Sequence, residues 1–241
     1  MTSWEFPAHD PVDLQVRIHA GSVRVLAVPT QTATVTLDGS ERLLAPTRVE
    51  FDHGALSVIT PDRHGLGGFG SLRATVEVPE GSSCLVHTAS ADVSCTGGLS
   101  ALDVHTASGD VSAERVSGLT RVVTASGDVE VGTTAEVRVE TASGDVRIDQ
   151  ADGAVTVRTA SGDVRIAQTS GHGTEVKSAS GDISVGVVRG IGVYLDLSSL
   201  SGTVSSELEP AEENSGADMT VQCRTISGDI QVLRAAQPAA R

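Results

Sequence analysis

Residues 141–166 read TASGDVRIDQADGAVTVRTASGDVRI, and the hexapeptide TASGDV stands in this stretch twice, 18 residues apart. The same unit runs through most of the chain. It occurs as HTASADV at 87–93, HTASGDV at 105–111, and TASGDV at 124–129, 141–146 and 159–164. It continues as SASGDI at 178–183, a worn SLSGTV at 199–204, and TISGDI at 225–230. The units begin at 88, 106, 124, 141, 159, 178, 199 and 225, so the steps are 18, 18, 17, 18, 19, 21 and 26 residues. A fixed step of this size marks a stacked-repeat architecture.

Each repeat carries two alternating arms. After the hexapeptide turn, Val146 and Ile148 alternate with Arg147 and Asp149; before the next turn, Val155 and Val157 alternate with Thr156 and Arg158. A period of two is the signature of a strand. Two short strands per repeat of about 18 residues, always in the same order, define one coil of a solenoid. Copies of one strand then lie parallel, about 4.8 Å apart. A single coil cannot bury its apolar face, so stacked coils must share a thin aliphatic core. The expected fold is therefore all-β: a single-domain, parallel β-solenoid.

The hexapeptide itself reads as the corner of each coil. Five residues separate Thr141 from Val146, an odd spacing. For both to face inward the alternation must slip between them. Gly109, Gly127, Gly144, Gly162, Gly181 and Gly228 supply backbone freedom at that slip. Asp110, Asp128, Asp145, Asp163, Asp182 and Asp229 can accept hydrogen bonds from nearby amides or from a neighbouring coil. Ala91 replaces glycine in the first unit, and its corner should differ. The threonines fall on the inner side.

Residues 1–80 are less regular but strand-rich, and HAGSVRV and DHGALSV read as degenerate corners. Trp4, Phe6, Phe51 and Phe69 lie here, four of the five aromatics, and suit a cap over an open sheet edge. The regular solenoid occupies 81–234. ELEPAEENSGAD at 207–218 reads as an excursion from the seventh coil, and 235–241 as a disordered tail.

Composition narrows the function. The net charge is −14, which opposes binding to nucleic-acid phosphates or to an anionic membrane surface. Met1 is followed by TSWEFPAHDP, with no basic and apolar leader, and no stretch reaches the length of a membrane span. The expected location is the cytoplasm, with no direct membrane insertion. Cys84, Cys95 and Cys223 fall on inward positions and read as buried thiols.

Candidate sites are few. The Asp column, Asp110, Asp128, Asp145, Asp163 and Asp182, offers a ladder of carboxylates to calcium, which takes six to eight oxygen ligands. Each corner contributes only one acid, however, so the corner reading is preferred. His87 and His105 occupy one slot in adjacent coils and would make half a metal site. HGLGGFG at 64–70 contains G-x-G-x-x-G, but a strand pattern follows it rather than a helix, so no phosphate cradle is expected. No nucleophile elbow or zinc-protease motif is present. The chain reads as a non-enzyme without a cofactor.

VEVPEGSSCLVHTASADV at 76–93, followed by iterated TASGDV, resembles the bacterial Toastrack family of adhesin-like repeat domains. The resemblance implies a β-solenoid without catalytic residues. It also implies a scaffold for protein–protein assembly, with membrane-associated envelope-stress proteins as partners. An adhesin-like module holding calcium or a glycan is the alternative. Identical side chains in every coil suit extended contact, and the solenoid ends suit self-association.

Overall fold

The computed structural model describes residues 1–61, 70–208 and 218–235. The glycine-rich stretch at 64–69, Phe69, most of the acidic excursion and the tail from 236 lie outside the described residues. The chain forms two compact units, Met1–Gly127 and Asp128–Arg241. Both are built from strands that the repeats dictate.

The first unit contains β1 (Thr2–Pro7), β2 (Asp13–Val28), β3 (Thr32–Asp38), the single-turn helix α1 (Glu41–Leu44), β4 (Arg48–Asp52) and β5 (Ala55–Ile59). It continues with β6 (Leu72–Pro79), β7 (Ser83–Leu99), β8 (Ala101–His105) and β9 (Val111–Ser126). Two ladders result. Before the corner the order is β4, β5, β2, β7, β8, β9, parallel from β5 onward. After the corner it is β1, β3, β6, β2, β7, β9, parallel from β6 onward.

The first unit is therefore not wholly parallel. The pairs β1–β3, β3–β6 and β4–β5 are antiparallel. They close the unit at its N-terminal side, where Phe6 on β1 stacks on Phe51 of β4 with ring centroids 5.4 Å apart. HAGSVRV is a corner, as expected, with β2 bending through Gly21. DHGALSV is not. His53 (φ 46°) and Gly54 (φ 83°) form the two-residue turn of the β4–β5 hairpin, with Asp52 opposite Ala55. Positive φ at both central positions is what a two-residue hairpin needs. Ala91 behaves as its missing glycine requires. It takes no positive φ, and β7 runs unbroken through the corner.

The second unit contains β10 (Val129–Ser143), β11 (Val146–Ala151), β12 (Val155–Ser161), β13 (Val164–Thr169), β14 (Gly173–Lys177) and β15 (Ile183–Val187). β16 (Val193–Ser201), β17 (Val204–Ser206), β18 (Met219–Ser227) and β19 (Ile230–Arg234) complete it. The pairings between these strands are parallel, with Val129 beside Val146, Val146 beside Val164 and Val164 beside Ile183; the β13–β15 register shifts once, between Ile166 and Thr169. The inward residues are almost completely buried; Val131, Val139, Ile148, Val157, Ile166, Val185, Val221 and Val232 have at most 1% of their surface exposed. Each such side chain contributes roughly 1.5–3 kcal/mol by leaving water.

Chain order and layer order part at the C-terminal end. β14 pairs with β18, and β18 with β16; β15 pairs with β19, and β19 with β17. The last repeat, 225–230, thus fills the layer between the repeats at 178–183 and 199–204. The worn repeat SLSGTV makes the terminal layer, although it precedes TISGDI in sequence. At this end the coils therefore do not stack in sequence order. This order accounts for the long steps of 21 and 26 residues: the chain skips one layer and then returns to fill it. Leu195 and Leu197, on inward slots, stay only half-buried because nothing among the described strands covers them.

Candidate functional site

The corner is the most repeated feature, and its chemistry is local. Thr106, Thr124, Thr141, Thr159, Ser178 and Thr225 are buried. Each donates its hydroxyl hydrogen bond to the carbonyl of the serine two residues on, at 2.9–3.1 Å. Gly109, Gly127, Gly144, Gly162, Gly181 and Gly228 take φ between 128° and 135°, and Gly202 of the worn repeat takes 156°. Each aspartate then reaches along the stack. The Asp110 amide donates to Asp92 Oδ1 at 3.2 Å within the first unit. In the second unit Asp145 donates to Asp128, Asp163 to Asp145, Asp182 to Asp163 and Asp229 to Asp182, at 2.8–2.9 Å. Thr203 donates to Asp229 Oδ1 at 2.7 Å. One oxygen of each of these carboxylates is thereby committed to holding two layers together.

That use of the column works against the calcium reading at Asp128, Asp145, Asp163 and Asp182, whose carboxylates accept these bonds; Asp110 takes part through its amide. Among the described residues, no group of three or more His, Cys, Asp or Glu side chains is arranged to hold a metal. The outer ladder is ordinary. Glu140 lies beside Arg158 with an ion-pair distance of 3.9 Å, and Asp196 contacts Arg224 at 3.0 Å. Exposed pairs of this kind contribute little. The three cysteines are free and buried. Hydrogen bonding with Cys95, followed by burial, pushes the Cys84 thiol well up, and burial pushes Cys223 up to about 12. Both are neutral thiols, and a thiol that stays protonated is a poor nucleophile.

A cleft of about 420 Å³ lies in the first unit. It is lined by Arg17, His19, His87 and His105, with Thr88 and Ile18 among its other residues. Arg17, His87 and His105 are register partners on β2, β7 and β8, so strand stacking alone brings them into one column. The two imidazoles stack with centroids 4.9 Å apart and planes 3° from parallel. His105 Nε2 lies 3.1 Å from Asp103 Oδ1, a buried oxygen with no hydrogen-bond partner of good geometry. Burial, then the neighbouring His105, hold His87 below the ordinary imidazole value; Arg17 pushes the same way and Asp103 opposes.

The stacked geometry bears on the metal reading of His87 and His105. A metal bound by two imidazole nitrogens at about 2.0–2.1 Å from each needs them within about 4.2 Å. Parallel rings 4.9 Å apart point their lone pairs side by side rather than at a common point. The sequence signalled this pair through its shared slot. It did not signal His19, which opens a corner with a different spelling, HAGSVRV, or Arg17 two residues before it.

A repeat-built, mostly parallel β-solenoid with hydrogen-bonded Gly-Asp corners defines a class of stacked repeat domains. The chain belongs to the Toastrack DUF4097 family, whose model matches residues 13–233. No curated protein matches. Among solved structures, one described as a putative adhesin from Bacteroides fragilis is 11% identical, covers 96% of each chain and superposes with a TM-score of 0.59. Two proteins from Parabacteroides distasonis are also similar. One is described as a putative adhesin, at 12% identity and TM-score 0.42; the other as a putative lipid binding protein, at 14% and 0.41. Each of these pairs also covers 96% of both chains. At 11% identity the likeness to the Bacteroides fragilis protein shows the fold alone. Among the described residues no helix is long and apolar enough to cross a membrane.

Proposed function

We propose that this chain is a non-enzymatic assembly module whose C-terminal layer, β16 and β17, takes up a further layer from a second copy. The carrying observation is where large apolar side chains are exposed. Corner position two is alanine in the inner coils, at Ala125, Ala142, Ala160 and Ala179. In the two outermost layers it is Ile226 and Leu200, which are 57% and 84% exposed. Tyr194 and Val204, in the terminal layer, are 61% and 43% exposed. An edge strand with such residues is a template for another strand, and proteins normally blunt it with charge or a covering segment.

A second copy is the occupant that fits this edge. The slots of Val193, Leu195, Leu197 and Val204 continue the lattice that this chain's own repeats fill one layer inward. Two copies meeting edge to edge present the same slots to each other, the isologous arrangement that most dimers use. The family resemblance adds membrane-associated stress proteins as further partners to the same proposal.

Sedimentation velocity over a concentration series tests the assembly. Wild type should show a reversible dimer, and Leu200→Lys combined with Val204→Lys should be monomeric with an unchanged β-sheet circular dichroism signal. Wild-type protein that stays monomeric at every concentration overturns the proposal, as does a dimer that the lysines leave intact.

A further inference from the structure

We infer that the terminal layer, β16 and β17, is a strap that opens as one unit and, when closed, covers the end of the regular stack, the edges of β18 and β19. The inference does not rest on the assembly reading, since it concerns how this layer is held to its own chain.

Topology is the first argument. β18 and β19 carry the full repeat TISGDI and continue the stack from β14 and β15. β16 and β17 are inserted in sequence between those two layers and folded back over the second. The insertion is closed at its root. The Asp218 and Met219 amides donate to the Gly192 carbonyl at 2.9 and 3.1 Å, and the Gly192 amide donates to Asp218 Oδ2 at 3.3 Å. Arg234 Nη1 donates to the carbonyls of Val188 and Ile191 at 3.0 and 3.3 Å. Beneath the strap, the Asp229 amide donates to Asp182 Oδ1 and the Ala235 amide to the Val187 carbonyl, each at 2.8 Å. Lifting β16 and β17 breaks none of these bonds.

Uneven fastening is the second argument. An inner layer is held on both faces and the strap on one. Val193, Leu195 and Leu197 are half-buried and Val204 is exposed, whereas Val221, Cys223, Ile230 and Val232 in the layer beneath are fully buried. β17 pairs with β19 only at Val204, Ser205 and Ser206. Thr203 stands in the aspartate slot, so the corner bond to Asp229 Oδ1 is received and no carboxylate is offered onward. The side-chain ties are Ser199 Oγ to the Gly228 carbonyl at 2.9 Å, and Asp196, which accepts from Gln222 and Arg224 at 2.6 and 3.0 Å. Segments with few buried apolar contacts open ahead of the rest of a fold. Opening bares two strand edges of the kind that a covering segment normally protects.

Amide hydrogen exchange, read residue by residue by NMR on the full chain, tests the strap. The Gly228 and Ile230 amides donate to strap carbonyls, those of Ser201 and Thr203. One layer inward, the Gly181 and Ile183 amides donate to the carbonyls of Ser227 and Asp229. Both pairs lie in the same local sequence, S-G-D-I, so their intrinsic rates match and only the covering layer differs. Gly228 and Ile230 should exchange at a common rate, roughly tenfold or more faster than Gly181 and Ile183. Leu197→Ala should speed the first pair by about another tenfold and leave the second unchanged. Cys223 lies under Leu197 and is 0% exposed, against 3% for Cys84 and Cys95. With iodoacetamide it should nevertheless react first. Equal exchange at all four amides would mean that the second unit opens only as a whole, and overturns the inference. A Leu197→Ala effect on only one of Gly228 and Ile230, or Cys223 labelling no faster than Cys84, overturns it as well.

Discussion

Replacing Gly162 with alanine probes the corner where the account is most exposed. Gly162 takes φ +130°, a conformation that costs an L-residue of order 1–3 kcal/mol. Space is a second obstacle. A Cβ built there would stand 2.3 Å from the Gly144 carbonyl oxygen and 2.7 Å from its carbon. Those are backbone atoms of the layer beneath, so relief requires the two layers to separate. Separation strains the Gly144 N–H to Ser161 carbonyl bond, at 3.2 Å, and the Asp163 N–H to Asp145 Oδ1 bond, at 2.9 Å. A neutral hydrogen bond contributes about 1 kcal/mol and one to a charged group roughly 1.5–3 kcal/mol. Gly162→Ala should therefore destabilise the protein by roughly 3–6 kcal/mol, read from the urea midpoint at unchanged m-value. Ala91→Gly is the control, since the first corner already lives without positive φ. It removes one buried methyl and adds backbone freedom to the unfolded chain, a loss of about 1–2 kcal/mol. A Gly162→Ala variant within about 1 kcal/mol of wild type would refute the reasoning.

Three further outcomes follow from the same contacts. Stacked aspartates about 4.8 Å apart repel by about 1 kcal/mol per pair at low salt; added sodium chloride should raise the melting temperature, and Asp163→Asn should weaken that dependence. Ile166→Ala, in a fully buried slot, should cost about 2–5 kcal/mol by denaturation, whereas Leu195→Ala in the half-buried terminal layer should cost clearly less. Burial and the neighbouring His105 hold His87 below the ordinary imidazole value, so the unfolded chain binds this proton more readily. Its contribution to stability is complete above about pH 6.5 and is lost as pH falls through the lowered folded value. His87→Gln should lose less stability than wild type between neutral and mildly acidic pH.

The corner was legible because its parts are local. Thr141, Gly144, Asp145 and Val146 each do one job within six residues, and repetition exposed the pattern. The burial of Val157 or Ile166 followed from alternation alone. What escaped was non-local. SLSGTV and TISGDI look like successive coils, yet backbone pairing exchanges their order, and only the long steps and the apolar Leu200 and Ile226 hinted at an end. DHGALSV was misread because a two-residue hairpin and a coil corner both place glycine before an apolar alternation. The basic cleft needed Arg17 from an irregular coil to be set in register with His87, which no motif encodes.

Disulfide trapping tests the layer order directly. Ser180 lies opposite Ser227, and Ser227 opposite Ser201. Neighbouring parallel strands bring Cα atoms about 4.8 Å apart, inside the range a disulfide spans, while a two-layer separation of about 10 Å lies outside it. Cysteine pairs at 180/227 and at 201/227 should cross-link under mild oxidation, and a pair at 180/201 should not. Efficient cross-linking of 180 with 201 and failure at 180/227 would mean that the coils stack in sequence order, and would contradict the fold described.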